Sequence, residues 1–274
     1  MKAHIMISIK RNRATHCLAL LVITFAAVVS AHGGDWSNTM ATAVFDGKLY
    51  SIEKSGELYV TDLTSGTWRQ IGSTEFANTR FLFAGDRNLF TIEKDGTFYR
   101  VNPSDGSWDQ IGDESAWKGT VAGAIAGGRL YTVDTSGALY ETNPETGAWR
   151  KIGKSDYQNT KYLYGSGGTV YTIEKDGSFY KIDATDGSWD RVGKAGDWKN
   201  TIGGAVLGGK IYTVESGGTL YETNPSSGSW RVVGKPEFAK TRFFFAANGS
   251  LFSIETDGKL YRINPSTGSW AAVG

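Results

Sequence analysis

Six tryptophans recur along the chain at a nearly constant interval of 40 or 41 residues. Each is the last residue of a recurring segment, such as Asn-Pro-Ser-Asp-Gly-Ser-Trp at residues 102–108. Repeats of this length are typical of propellers and solenoids. The repeated tryptophans are Trp68, Trp108, Trp149, Trp189, Trp230 and Trp270. The predicted units cover about residues 33–72, 73–112, 113–153, 154–193, 194–234 and 235–274, which leaves no room between them for a second domain.

Each unit has turn residues spaced to separate four short strands. In the second unit, the apolar runs at 80–84, 89–93 and 98–101 and the segment from Trp108 are separated by turn residues, including the hairpin signal Asp95-Gly96. The sequence therefore predicts an all-β, six-bladed β-propeller with four antiparallel strands per blade. A solenoid would need atypical capping units, and neither terminal unit is atypical. We expect blade six to pack on blade one without sharing a strand.

The repeat has a longer period of about 81 residues. The first strand of units one, three and five is rich in small residues, as in AGAIA at 122–126, whereas the even units carry aromatic runs such as FLFAG at 81–85. A bulky strand fits where its neighbour offers Ala and Gly. The pattern predicts pseudo-threefold symmetry with three two-blade units.

The even units resemble the repeat of tachylectin-2-type lectins, and tectonin-type lectins have a similar pattern. The resemblance is carried by TRFLFAGDRNLFTIEKDGTFYRVNP (79–103) and TRFFFAANGSLFSIETDGKLYRINP (241–265), each with a Phe-rich run, a Gly turn and a second aromatic-Tyr segment. It implies binding of amino sugars or similar glycans in pockets near the blade junctions.

The linkers that precede each first strand combine an aromatic ring with acid and amide groups, a combination suited to sugar faces and hydroxyls. The alternative is that the rings pack against the edge of the blade and hold the linker in place. The candidate ligand-binding residues on the linkers are Trp36, Asn38, Phe76, Asn78, Trp117, Tyr157, Asn159, Trp198, Asn200 and Phe238.

A second set of candidates consists of one cation in each even blade: Arg80, Lys161 and Arg242. The alternative for these cations is a salt bridge to the carboxylates Glu93, Glu174 and Glu255 of the same blades. The repeated tryptophans are predicted to be core, as is the third-strand series Tyr59, Tyr99, Tyr140, Tyr180, Tyr221 and Tyr261.

A carboxylate follows every second strand: Glu53, Glu93, Asp134, Glu174, Glu215 and Glu255. A residue present in every blade favours a structural role, and we expect a bond to the Thr opposite that closes the hairpin. Beyond residue 31 the chain has one histidine, His32, and no cysteine. That composition excludes Ser-His-Asp catalysis and His/Cys zinc sites. We expect no metal and no cofactor.

The first 31 residues have the pattern of a signal peptide. Four basic residues precede the apolar run Cys17–Val29, and Val29 and Ala31 supply the small residues of a cleavage site. The predicted mature chain has 25 basic and 28 acidic residues, net −3. That charge does not favour binding to nucleic acid. We expect a secreted or periplasmic protein with no membrane span.

These patterns favour a carbohydrate-binding, lectin-like propeller with repeated weak sites whose partners are glycans or glycoconjugates. An extracytoplasmic scaffold that binds a protein partner is the alternative, and a carboxylate-dependent enzyme acting on polysaccharide is the third hypothesis. No blade carries an insertion that would form a single active site, which favours binding over catalysis.

Cleavage of the predicted signal peptide can be tested directly. Intact-mass measurement of exported protein is expected to give a chain that begins at His32, because cleavage follows the small residue Ala31. A mature chain that retains residues before Thr24 would rule out the signal peptide.

Overall fold

A computed structural model describes residues 34–274, so the predicted signal peptide and His32 lie outside the described residues. Residues 34–274 form 24 strands in six four-stranded antiparallel sheets, and each sheet consists of four consecutive strands. The predicted six-bladed, all-β propeller is confirmed. The first strands of successive blades are neighbours around the ring.

Blade 1 comprises β1 (Thr39–Phe45), β2 (Lys48–Glu53), β3 (Leu58–Thr61) and β4 (Trp68–Ile71). Blade 2 comprises β5 (Thr79–Ala84), β6 (Leu89–Glu93), β7 (Phe98–Val101) and β8 (Trp108–Ile111). Blade 3 comprises β9 (Thr120–Ala126), β10 (Arg129–Asp134), β11 (Leu139–Thr142) and β12 (Trp149–Ile152).

Blade 4 comprises β13 (Thr160–Ser166), β14 (Thr169–Glu174), β15 (Phe179–Ile182) and β16 (Trp189–Val192). Blade 5 comprises β17 (Thr201–Leu207), β18 (Lys210–Glu215), β19 (Leu220–Thr223) and β20 (Trp230–Val233). Blade 6 comprises β21 (Thr241–Ala247), β22 (Ser250–Glu255), β23 (Leu260–Ile263) and β24 (Trp270–Ala272).

Each linker is fixed to the preceding blade by one backbone bond. The Trp117 amide donates to the Gly96 carbonyl, in the turn between β6 and β7, at 3.0 Å. Gly96 has a φ of 90°, and an added Cβ would overlap the backbone of Lys118, so only glycine fits this crossing. The same bond, 2.9–3.1 Å long, joins Trp36 to Gly258, Phe76 to Gly56, Tyr157 to Gly137, Trp198 to Gly177 and Phe238 to Gly218.

The first strand of every blade contains a bulge just after its initial threonine. In blade 2, Thr79 pairs with Glu93 and Phe81 with Ile92, so Arg80 has no partner in the register. An unpaired residue of this kind is turned away from the ladder. The residues at this position are Met40, Arg80, Val121, Lys161, Ile202 and Arg242.

Packing between blades alternates around the ring, as the two-blade period predicted. The first strands of blades 1 and 2, 3 and 4, and 5 and 6 approach closely, with small residues such as Ala122 and Ala124 packed near Leu163. At the intervening junctions, aromatic side chains fill a wider gap. Phe83 lies against Gly123, where an added Cβ would come within 2.7 Å of the ring.

Blade 6 closes on blade 1 through side chains. Trp36 and Leu49 of blade 1 share a buried cluster with Phe252 and Ile254 of blade 6. Arg242 adds polar contacts: its guanidinium donates to the carbonyls of Trp36 (3.3 Å), Ser37 (2.8 Å) and Thr39 (2.7 Å). Ring closure therefore needs no shared strand in the described part of the chain, as predicted.

Arg242→Met is expected to destabilise the protein by about 1–3 kcal/mol, because it leaves carbonyls at the closing junction without their charged donor. Arg80→Met is the matched control, since Arg80 is exposed at the equivalent position of blade 2 and makes no such bond within residues 34–274. We expect it to change stability by less than about 0.5 kcal/mol. Urea unfolding of both variants measures the difference. Equal midpoints would contradict the role of Arg242 in closure.

Candidate functional site

The fourth-strand tryptophans are exposed, so the prediction that they belong to the core is wrong. In blades 2–6, Trp108, Trp149, Trp189, Trp230 and Trp270 expose between 43% and 56% of their surface. The physical reason is that the fourth strand is the outer edge of each sheet. In β8 only Ile111 is buried.

Each exposed tryptophan packs against the third-strand tyrosine of its own blade. The Tyr99 and Trp108 ring centroids lie 5.0 Å apart with the planes at 80°, an edge-to-face contact. The tyrosines are half-buried, so the prediction that they are core residues is corrected as well. Blade 1 differs, because Trp68 is only partly exposed and stacks on Tyr59 at 4.2 Å.

A linker acid holds the indole nitrogen in three blades. Trp108 Nε1 donates to Glu75 Oε2 at 2.9 Å. The equivalent bonds join Trp230 to Asp197 at 3.1 Å and Trp270 to Glu237 at 2.9 Å. Hydrogen bonds from the Ser73 hydroxyl and the Trp108 indole lower the pKa of Glu75, which keeps this carboxylate ionised.

The predicted bond between the recurring carboxylate and the opposite threonine is present in four blades. The hydroxyls of Thr39, Thr79, Thr160 and Thr241 donate to Glu53, Glu93, Glu174 and Glu255 over 2.6–3.1 Å. In blade 3 the shorter Asp134 instead accepts the amides of its own turn, Ser136 and Ala138. Burial raises the pKa of all four glutamates.

These side chains surround a groove in each of blades 2, 3, 4 and 6, which we call the blade groove. In blade 2 it encloses about 180 Å³ and is lined by Trp108, Tyr99, Glu75, Asn78 and Glu93, with Phe76 and Asp95. The grooves of blades 3, 4 and 6 enclose about 100, 120 and 280 Å³. In blade 3, Ala116 and Gly119 replace the linker acid and the asparagine.

The six linker rings are buried, with exposed fractions of 1–6%. They are Trp36, Phe76, Trp117, Tyr157, Trp198 and Phe238. Phe76, Trp117, Tyr157 and Phe238 contribute to the lining of the four grooves, but too little of each ring is exposed for a sugar to stack on it. The burial favours the alternative that these rings hold the linkers on the blades. Tyr157 also donates its hydroxyl to the Gly187 carbonyl at 2.7 Å, and burial raises its pKa to about 12.

The asparagines of the linkers are exposed. Asn78 and Asn159 line the grooves of blades 2 and 4 and can donate or accept there. Asn38 and Asn200 occupy the equivalent position in blades 1 and 5. Burial raises the pKa of Glu215 in blade 5, and the neighbouring Asn200 amide partly offsets that rise.

The cations do not pair with the carboxylates of their own blades. Lys161 Nζ donates to the Thr201 carbonyl of blade 5 at 2.6 Å, just as Arg242 binds blade 1. The bulge accounts for this, because it turns the residue after the threonine out of its own ladder. Arg80, Lys161 and Arg242 do not line the grooves of blades 2, 4 and 6.

Comparison with known proteins gives a partial family match and a general fold match. The family model described as outer membrane protein assembly factor BamB matches residues 107–232, less than half of the chain. No curated protein matches the sequence. Residues 107–232 are therefore similar to the BamB repeat, while the resemblance to tachylectin-2-type lectins is not confirmed.

Solved propellers are similar in fold. A structural genomics protein of unknown function from Bacteroides thetaiotaomicron VPI-5482 has a TM-score of 0.63 at 15% identity, covering 85% of this chain and 72% of that one. The computationally designed Ika8 protein has a TM-score of 0.54 at 16% identity, covering 88% and 74%. The tricorn protease has a TM-score of 0.65 at 14% identity, but the match spans 88% of this chain and only 26% of the protease.

The described part of the chain holds neither a cluster of metal ligands nor a membrane-spanning helix. Between residues 34 and 274, no group of three or more His, Cys, Asp or Glu side chains could hold a metal ion. The same span contains no helix long and apolar enough to cross a membrane.

The buried glutamates make stability depend on pH. The raised pKa of Glu93 means that its ionisation costs folding free energy, so its contribution is present below the unfolded value of 4.5 and lost as pH rises through the folded value. We expect Glu93→Gln to be more stable relative to wild type at about pH 7 than at about pH 5. Thermal unfolding at both pH values tests this. The exposed Glu114→Gln should show no such difference, and a Glu93→Gln advantage that grows on acidification would contradict the assignment.

Proposed function

We propose that this protein is a glycan-binding propeller that uses its blade grooves as repeated, weak and nearly equivalent sites. The observation that carries the proposal is the exposed tryptophan of each groove, held edge-on to a tyrosine and beside carboxylates. Such a ring supplies an apolar face for the C–H surface of a sugar, while the neighbouring acid and amide oxygens accept bonds from its hydroxyls.

The repetition of the groove supports a polymeric ligand. Five blades carry the exposed tryptophan, and each groove is small and open. A single shallow site would bind a monosaccharide weakly, in the range of about 1 mM. Several sites on one rigid ring bind a multivalent glycan far more tightly, because each further contact is intramolecular.

A protein-interaction scaffold is the second candidate function. It is favoured by the BamB-like match over residues 107–232, since that family is described as an assembly factor. Exposed aromatic residues are also common at protein interfaces. On this hypothesis the same tryptophans would contact one protein partner, and purified protein would show no affinity for oligosaccharides.

We also propose that the protein acts outside the cytoplasm and that it binds its ligand without catalysing a reaction. A glycan-binding propeller with the predicted leader would act outside the cytoplasm, either secreted or in a periplasm. We propose binding rather than catalysis, because the recurring carboxylates are tied into the hairpins by Thr hydroxyls in four blades.

A glycan array would identify an oligosaccharide ligand, and calorimetry would then count its sites. Each single replacement of Trp108, Trp149, Trp189 or Trp270 by Ala is expected to remove one site, since loss of the stacking ring weakens binding about tenfold. These variants should stay folded and lose about 1–3 kcal/mol of stability, because each ring is only about half-exposed and packs edge-to-face on a tyrosine.

Trp36→Phe is the control, since Trp36 is buried at the closing junction. It should unfold earlier and keep the full number of sites. If the exposed tryptophan variants bind every array ligand as wild type does, the grooves are not the glycan sites. If no glycan binds but a protein partner is lost, the scaffold hypothesis replaces the proposal.

A further inference from the structure

Among the four grooves, that of blade 3 has the fewest carboxylates. Three carboxylates line the groove in each of blades 2, 4 and 6. The groove of blade 3 keeps only Asp134, because Ala116 stands in place of the linker acid and Ser136 in place of the turn aspartate. An anionic ligand therefore meets the least repulsion in blade 3.

The remaining carboxylate of this groove already has its donors. Asp134 Oδ1 accepts the amides of Ser136 and Ala138 at 2.9 Å, and Oδ2 accepts the Tyr140 hydroxyl at 3.2 Å. Although burial acts to raise the pKa of Asp134, these hydrogen bonds lower it. The charge of Asp134 is thus compensated within its own blade.

The same groove presents donors that have no partner within residues 34–274. Trp149 is the most exposed of the fourth-strand tryptophans, at 56%, and its indole N–H lacks the linker carboxylate that Trp230 has in blade 5. The Thr120 hydroxyl lines the groove and has no carboxylate to bind, because Asp134 bonds its own turn. Both groups can donate to a ligand.

The cations of the even blades face the linker of the blade that follows. Arg242 donates to the Thr39 carbonyl of blade 1 at 2.7 Å, and Lys161 makes the equivalent bond to blade 5. Arg80 has the same bulge position in blade 2. The threonine that it faces is Thr120, which lines the groove of blade 3.

Arg80 keeps its donors free, unlike the other two cations. Its side chain is exposed and makes no hydrogen bond or ion pair within residues 34–274. The guanidinium lies over the Phe81 ring, 5.1 Å from the centroid, a contact that leaves its N–H groups available. Phe81 packs on a cluster that includes Leu130 of blade 3, so the ring holds the cation at the junction of the two blades.

Gly119 adds no side chain at the rim between Arg80 and the groove. The other linkers carry Asn or Lys at this position. The backbone does not require glycine here, because an added Cβ would make ordinary contacts, the nearest to Asp134 Cβ at 3.4 Å. The glycine therefore opens the groove toward the guanidinium rather than relieving a strained turn.

We propose that Arg80 and the groove of blade 3 form a site for a sugar that carries a carboxylate, as in a uronic acid residue of an acidic polysaccharide. The guanidinium binds the carboxylate through paired N–H donors, and the Trp149 ring packs on the sugar face. The indole N–H and the Thr120 hydroxyl donate to the sugar oxygens. This inference rests on the proposed glycan-binding function and names the class of sugar for one groove.

The test compares two matched oligosaccharides by calorimetry at about pH 7: the α-1,4-linked galacturonic acid tetramer with free carboxylates and its fully methyl-esterified counterpart. Wild type is expected to bind the free acid at one site, about fivefold more tightly than the ester, and raising the salt concentration should reduce the preference. Arg80→Met should stay folded, because Arg80 is exposed, and should bind both tetramers with nearly equal affinity.

Arg87→Met is the matched control in the same blade. Arg87 is also exposed and forms no ion pair within the described residues, but it lies in the turn between β5 and β6, at the opposite end of β5 from the bulge. The control changes the net charge by the same amount and should keep the fivefold preference. Loss of preference in both variants would mean that overall charge attracts the acid, which overturns the inference.

Ala116→Asp tests whether the groove itself belongs to the site. It supplies blade 3 with the linker acid of blade 5, where Asp197 accepts the Trp230 indole. The new carboxylate should engage the Trp149 indole and repel the uronate, so the free acid is expected to bind no better than the ester. An unchanged preference would place the anion outside the groove and overturn the inference.

Three further outcomes separate this inference from the function on which it rests. Equal affinity of wild type for the two tetramers, with both weakened by Trp149→Ala, would overturn carboxylate selection and leave glycan binding in place. Failure of both tetramers and of every array glycan to bind would overturn the proposed function itself. Binding of a tetraglutamate peptide as tight as that of the free acid would overturn selection of a sugar-borne carboxylate.

Discussion

The ring depends on a single repeated constraint, the attachment of each linker to the blade before it. The linker amide donates to the carbonyl of a turn glycine, and the adjacent ring is buried at the junction. One chain segment thus joins two blades twice, through a directional bond and through apolar burial. Since no strand is shared between the described blades, these junctions, with the side-chain clusters between the sheets, hold the ring together.

The same attachment positions the groove. Fixing the ring of Phe76 also fixes the preceding Glu75, which then reaches the indole of Trp108, 33 residues later in the chain. The buried linker ring is therefore a positioning element for an exposed ring, and the two aromatic series have opposite roles. The sequence predicted a core role for the tryptophans that end each blade and left the linker rings open between ligand binding and packing, because aromatic residues in both places give similar patterns.

The fold could be predicted because its signals are repetitive: the period, the turn residues and the alternation of small and aromatic first strands all recur. The orientation of individual side chains could not be predicted in the same way. The polar residues Asp109 and Gln110 after Trp108 are typical of an exposed edge strand, whereas the prediction of a core role followed from the tryptophan spacing alone. The bulge at Arg80, Lys161 and Arg242 leaves no sequence signal beyond the residue itself, so only the structure shows where these cations point.

The two-blade period distinguishes the residues that every blade needs to form the ring from the residues that differ between the grooves. Glycine in the second turn is required in every blade by the linker crossing, and the threonine opposite the carboxylate recurs six times. The residue just before that glycine has no such constraint. It is Asp in blades 2, 4 and 6, and Ser or Gly in the others. Because the linker crossing does not fix this residue, that position can set the charge of a groove without disturbing the junction beside it. We therefore expect differences in binding between otherwise equivalent blades to arise at the residue before the turn glycine. Its carboxylate faces solvent, and its backbone is already fixed by the adjacent glycine.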